Sequence, residues 1–330
     1  MTLSNAIKWN DIFTDTSSES VIKKRYHELA KIYHSDNLQS GDADLFKKLT
    51  IYYDMALSYI GINVNSMKIQ KITFKSNKGS IDFEYKANYS VGGCNVYYSD
   101  TEIAIIFPKN MYDLADRFER LAGRIEIPGS GDESKTLKMC MPEIKQRLNG
   151  LIILKKTKEV VNLGELVDLA NKGKIVWENR DRHATWIVNR LYLLWCIMKY
   201  NNKVFMGFDI YDMFISPKYH SVLPLLGWQF MVDDNTKMVG TTGSIIDIMD
   251  STTIANKTAK TYVDGDSIKL IARKVFGNTS WKELDSFLNE ASSENPEDDW
   301  NRFTNIFMKK FGARKYYELK LNYEEFYSRK

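Results

Sequence analysis

The sequence predicts an α+β protein in three parts: a small α-helical hairpin over residues 1–64, a β-rich lobe over 68–160 and a helical lobe over 161–330. Two changes of hydrophobic period carry this reading. Apolar residues recur at helical spacing to about residue 60, and short β-branched and aromatic runs follow from about Met67. Helical spacing returns after about residue 160.

The hairpin comes first. Thr16-Ser17-Ser18-Glu19 has the form of a capping box. Behind it Ile22, Tyr26, Leu29 and Tyr33 line one helical face, while Lys23, Lys24, His27 and Lys31 make a basic one. This helix stops at His34-Ser35-Asp36, and a second starts at about Asp42 with Leu45, Leu49, Tyr52, Ala56 and Ile60 on one face. Two amphipathic helices joined by a short polar loop make an antiparallel pair. A preceding helix is expected over Ala6–Phe13.

In the β-rich lobe, "KITFKS", "SIDFEYKAN", "CNVYYS" and "EIAIIFP" read as one antiparallel meander, punctuated by Lys78-Gly79, Gly92-Gly93 and Ser99-Asp100. A helix is expected over Met111–Ala122, a loop over Pro128–Lys135 and a buried strand in "LNGLIILKK". In the last part, Ile187, Leu191, Leu194, Trp195 and Met198 mark a buried helix. Short strand-like runs follow over 203–228, then helices over Ser267–Phe276 and Asp298–Lys310, the latter preceded by Pro296.

Composition narrows the function classes. A net charge of +4 on 330 residues makes no broad electrostatic case for nucleic acid. Cys94, Cys140 and Cys196 are far apart, odd in number and fit no metal spacing, so free thiols in a reducing compartment are expected. No apolar run reaches the roughly 18–20 residues that span a membrane. The N-terminus lacks a signal-peptide core, so a cytoplasmic protein is expected. His183 and His220 have no partner at metal spacing and read as structural, and Trp195 and Trp300 fall on apolar helix faces.

The stretch "VIKKRYHELAKIYHSDN", followed by "LFKKLTIYYDMALSYI", resembles the J-domain of DnaJ-like co-chaperones over about residues 5–62. His34 and Asp36 stand at the outer positions of the family's His-Pro-Asp tripeptide, and Ser35 stands where the family has proline. The resemblance implies contact with a DnaK-type chaperone through Lys24, Lys31, His34 and Asp36. Serine gives up the fixed φ that proline would bring to the loop.

A β meander, a helix, another strand and a helical lobe are similar in order to a protein kinase, over about residues 68–320. "HATWIVNRLYLLWCIMKYNNKVFMGFDIYDMFISPKYHSVLPLLGW" looks like that family's helix, catalytic loop and metal-binding strand. "YVDGDSIKLIARKVFGN" looks like its later buried helix, with Asp266 at the aspartate that opens it. The closing segment is similar to divergent bacterial and phage kinase-like proteins.

Kinase chemistry needs a lysine for the phosphates, a glutamate to orient it, a catalytic aspartate and metal-binding carboxylates. The glycine-rich loop falls at Gly92 and Gly93, without the full motif. The lysine position falls near Ile105 or Ile106, with Lys109 beyond Pro108, and Glu119 lies near the glutamate position. The histidine position falls on Phe205, the catalytic aspartate on Gly207 and the metal-binding asparagine on Asp212. A shifted alignment puts Asp209 at the base. The metal aspartate position falls in Leu226-Gly227-Trp228, which has no carboxylate.

The resemblance therefore implies a pseudokinase: no catalytic residues, no metal and no required cofactor, with ATP binding without turnover left open. The expected function is an adaptor that joins the J-like module to a platform for a protein partner or client, with no membrane or nucleic-acid partner. Two alternatives stand beside it. One is a divergent phosphotransferase using Asp209 and Asp212. The other is a structural protein with a degenerate J-like module.

Overall fold

The computed structural model describes residues 3–6, 11–15, 19–34, 37, 42, 44–46, 48–50, 52–53, 56, 70–76, 79–91, 93–241, 245, 248–312, 317–321 and 326. The chain divides into two compact units, Met1–Lys68 and Ile69–Ser328.

In the first unit, helix α1 spans Glu19–Tyr33, and the described residues between Asp44 and Ala56 are helical. The faces expected from spacing meet in the core. Ile22 and Leu29 of α1 are buried with Leu49 and Ala56, and with Leu3, Ile12 and Phe13 from the segment before α1. Tyr26 stacks on Tyr53 with ring centroids 4.2 Å apart. The capping box at Thr16–Ser18 lies outside the described residues, as does half of the helix expected over Ala6–Phe13, where Ile12 sits in a turn.

The break between the two helices has a cap on each side. The Asn37 side-chain amide donates to the carbonyls of Lys31 (2.9 Å) and Ile32 (3.4 Å), which α1 leaves open at its C-terminal end. Asp42 Oδ1 accepts the backbone N–H groups of Asp44 and Leu45, both at 3.0 Å, and so caps the second helix.

The second unit opens with β1 (Gln70–Ser76) and β2 (Gly79–Tyr85), an antiparallel hairpin. Next come β3 (Ala87–Val91), β4 (Cys94–Tyr98), β5 (Glu102–Ile106), helix α2 (Tyr112–Leu121), helix α3 (Asp132–Met139), β6 (Ile144–Leu148) and β7 (Leu151–Lys155). β3 to β7 form one antiparallel sheet in the order β3-β4-β5-β7-β6.

Three sequence expectations change here. The meander is two sheets rather than one: β1–β2 stands apart and lays Ile72, Phe74 and Phe83 against Ala104, Leu151 and Ile153. Pro128–Lys135 is not all loop, because α3 starts at Asp132; that helix buries Leu137, too little apolar surface for a periodic signal. β6 was hidden because "IKQRL" presents charged residues outward at the sheet edge.

The rest of the unit is mainly helical. It contains β8 (Val161–Asn162), α4 (Leu163–Asn171), α5 (Arg180–Tyr200), β9 (Lys203–Val204), β10 (Met213–Ser216), β11 (Ser221–Pro224) and β12 (Val232–Asp233). Helices α6 (Ser251–Asn256), α7 (Thr261–Phe276), α8 (Lys282–Asn289) and α9 (Pro296–Phe311) follow. α5 is the buried helix the sequence predicts, with Ile187, Leu191, Trp195 and Met198 all inaccessible. α7 begins six residues before the expected Ser267. Gly265 lies inside it because a Cβ there would come within 2.4 Å of the Trp195 ring. α9 has Pro296 at its start, an Asn295 side-chain cap and acidic residues in its first turn, where the helix dipole favours them. Among the described residues no helix is long and apolar enough to cross a membrane.

Candidate functional site

The kinase resemblance directs attention to the loop between β9 and β10, residues 205–212. Its first turn is anchored from below. Asp264, in the first turn of α7, accepts the backbone N–H of Phe205 at 2.7 Å and of Met206 at 2.9 Å. Met206 has a φ of +56°, a left-handed conformation that costs a bulky residue energy and needs this support. Burial raises the Asp264 carboxyl to about 7 against the opposing pull of the two N–H bonds. Asp264, not Asp266, is thus the aspartate of α7 that holds the loop; Asp266 accepts the N–H of Ser292 at 2.7 Å. The earlier start of α7 would have pointed to it.

Gly207, which the resemblance would set at the base, lies against Gly227. A Cβ on Gly207 would fall 2.7 Å from the Gly227 carbonyl oxygen, and one on Gly227 would fall 2.8 Å from the Gly207 carbonyl oxygen. Neither place accommodates a carboxylate without moving backbone. Asp209 turns back on its own loop and accepts the N–H of Tyr211 at 2.9 Å. Asp212 is buried, and its Oδ2 has no hydrogen-bond partner among the described residues. Burial, and secondarily Asp209, hold the Asp212 carboxyl well above the usual range. Cys94 of β4 senses the same group: burial first, then Asp212, pushes its thiol up to about 12.

The sheet closes over this loop. Tyr89 of β3 donates its hydroxyl to the Tyr211 carbonyl at 3.0 Å, and the two rings lie 6.0 Å apart. The Asn162 amide donates to both Tyr89 Oη (3.0 Å) and the Tyr211 carbonyl (2.7 Å), while its Oδ1 caps α4 through Glu165 N–H. Tyr211 Oη donates to Asp168 at 2.7 Å, and Tyr98 of β4 donates to Glu165. Gly164 leaves room for the Tyr211 ring, which a Cβ would meet at 2.5 Å. Side-chain hydrogen bonds therefore link β3 and β4 to the loop and to the start of α4.

The other expected site residues are placed as follows. Ile105 of β5 is buried, whereas Lys109 is exposed in a 3-10 turn past Pro108. Glu119 of α2 pairs with Arg147 Nε at 3.3 Å, and Asp116 with Arg147 Nη2 at 2.6 Å. Arg117 of α2 donates to the carbonyls of Gln229 (3.1 Å) and Met231 (2.9 Å). Gly93 makes the β3–β4 turn at a φ of +78°, and Gly92 lies outside the described residues. Among the described residues no group of three His, Cys, Asp or Glu could hold a metal ion. His183 accepts from Trp177 at 3.1 Å, and His220 stacks on Trp186 at 4.9 Å.

On the first unit, Lys24, Lys31 and His34 are exposed, with the His34 ring set edge-on to Phe46 at 4.8 Å. Ser35 and Asp36 lie outside the described residues.

No protein-family model matches the chain, and no curated protein matches it. Among solved structures the chain is similar to ROP2 from Toxoplasma gondii, described as a virulence factor with a protein-kinase fold and no enzymatic activity. The identity is 11% over 90% of this chain and 97% of that one, with a TM-score of 0.47. It is also similar to a Toxoplasma gondii rhoptry antigen kinase domain, at 10% identity over 88% and 96%, with a TM-score of 0.43. The strand order and the loop contacts stand independently of both overlaps.

Proposed function

We propose that this chain is a non-catalytic interaction protein, in which a J-like helical module (1–64) is joined to a kinase-like platform with a β-rich lobe (68–160) and a helical lobe (161–330). The strand order β3-β4-β5-β7-β6, with α2 after the third strand and a mainly helical region following, supports the kinase-like reading. So does the buried aspartate that anchors the loop before β10.

The observation that carries the non-catalytic reading is the contact of Gly207 with Gly227 in the loop that Tyr89 ties to the sheet. Phosphoryl transfer needs anionic ligands for a metal and fixed donors for the developing charge. Two glycines in backbone contact offer neither. The platform's role is then to bind a protein partner or client.

For the J-like module, Asn37 and Asp42 support the reading by fixing both ends of the loop where proline is missing. Lys24, Lys31, His34 and Asp36 form the surface offered to a DnaK-type chaperone. A cationic helix steers toward an acidic partner, and the loop supplies specificity.

Thermal unfolding with ATP, with and without Mg²⁺, tests the platform. A ligand at one hundred times its dissociation constant stabilises by about 2.7 kcal/mol. The non-catalytic reading expects no shift, and a magnesium-dependent shift would favour the phosphotransferase using Asp209 and Asp212. For the module, the ATPase rate of a DnaK-type chaperone should rise with the wild-type protein and not with His34→Gln. Equal rates with both would reject chaperone contact.

A further inference from the structure

The segment after α9 returns to the start of α5. Leu319 is 4% exposed, and the Tyr317 carbonyl lies 3.2 Å from Nε2 of His183, which is itself 1% exposed. The other ring nitrogen, Nδ1, accepts Nε1–H of Trp177 at 3.1 Å. An indole nitrogen can only donate, so Nδ1 must be bare, and Nε2 carries the proton that reaches the Tyr317 carbonyl. We propose that His183 is a proton-sensitive clasp: its neutral ring holds residues 317–321 against α5, and a proton on Nδ1 releases them. The inference goes beyond the adaptor reading and does not depend on it.

The release follows from the count of donors. A protonated imidazole carries N–H on both sides, so Nδ1–H would point at the Trp177 N–H and that bond would be lost. The charged groups around the ring add to the cost. Arg180 lies over the Trp177 ring at 5.2 Å and Arg182 over the Tyr317 ring at 4.8 Å, both from the first turn of α5, where Asp181 acts on Arg180. His220, in the turn between β10 and β11, feels the charge of His183 and that of Arg190. Glu178, before α5, and Glu318, beside Tyr317, leave their side chains exposed. Their carbonyls and that of Tyr317 favour the charged ring, but burial outweighs them and holds the imidazole below its usual value. A group whose folded pKa is depressed contributes stability above its unfolded value, about 6.5, and loses it as pH falls through the folded one. The clasp is therefore closed at neutral pH and opens on acidification.

Limited proteolysis of the intact protein at pH 7.5 and pH 5 tests the clasp. Cleavage after Leu319 is followed by mass spectrometry, and a free peptide of residues 312–330 cut in parallel corrects for the protease's own pH dependence. In the wild type the corrected rate should rise as pH falls, by up to about tenfold per pH unit below about 6.5. His183→Gln cannot titrate, so its two rates should be equal. Trp177→Phe removes the donor that Nδ1–H would meet, so its rise should be much smaller than that of the wild type. His220→Gln keeps His183 and should keep the rise. Asp264 remains in every variant, and its contribution runs the other way, being lost as pH rises. Equal wild-type rates at the two pH values would overturn the clasp. So would a rise that persists in His183→Gln, a full rise in Trp177→Phe, or a rise that vanishes in His220→Gln. Should His183→Gln not fold, the comparison of wild type with Trp177→Phe decides alone.

Discussion

Asp264 accepts the backbone N–H of Met206 at 2.9 Å and, through its other oxygen, that of Phe205 at 2.7 Å. One carboxylate thus holds a left-handed residue at the entrance to the loop 205–212. Gly207 follows directly and packs against Gly227.

Replacing Asp264 with Asn tests the anchor. An amide offers one acceptor where the loop needs two, so one buried N–H is left unpaired, at a cost of about 1–3 kcal/mol in denaturant unfolding. The substitution should also change the pH profile. Burial puts the folded-state carboxyl at about 7 against an ordinary 3.8, so the folded form holds a proton that the unfolded chain releases. Wild-type stability should therefore decline as pH rises from about 4 to 7, by up to about 1.4 kcal/mol per pH unit from this group. Asp264→Asn should flatten that decline.

Gly227→Ala tests the contact with Gly207. The position has a φ of +86°, and the new methyl would sit 2.8 Å from a backbone oxygen. Strain and overlap together should cost about 2 kcal/mol or more. A neutral result in thermal or denaturant unfolding would mean the two segments lie further apart.

Lys269 and Asp299 form an ion pair at 3.3 Å with both side chains 1% exposed, joining α7 to α9. Breaking a pair this deeply buried leaves an uncompensated charge. Lys269→Met or Asp299→Leu alone should each destabilise by about 3–5 kcal/mol. The double variant should recover most of that loss, because neither charge then remains. Denaturant titration of the four proteins gives the coupling directly.

Thiol chemistry gives a third check on packing. Burial pushes Cys94 and Cys196 up to about 12 and raises Cys140 as well, so few thiolates are present near neutral pH. In the native protein a disulfide reagent should label all three slowly, and labelling should become complete on unfolding.

Much of the fold could be read from the sequence, because long periodic segments declare themselves. The buried stripe of α5 and the proline start of α9 are examples. Where local chemistry contradicts the element, the reading missed it. Asp264-Gly265-Asp266 resembles a turn yet lies inside α7, since the glycine answers to Trp195 rather than to the backbone. At the candidate site, Asp209 and Asp212 could be read as neighbours in one loop, but the Tyr89–Tyr211 contact could not. Tyr89 and Tyr211 are 122 residues apart, and no local pattern announces their contact.

Titration calorimetry of the intact protein with Mg²⁺·ATP addresses the central claim most directly. With Gly207 packed on Gly227 and the loop tied to Tyr89, the protein should give only heats of dilution. A saturable heat that requires Mg²⁺ and disappears in an Asp209→Asn, Asp212→Asn double variant would contradict it.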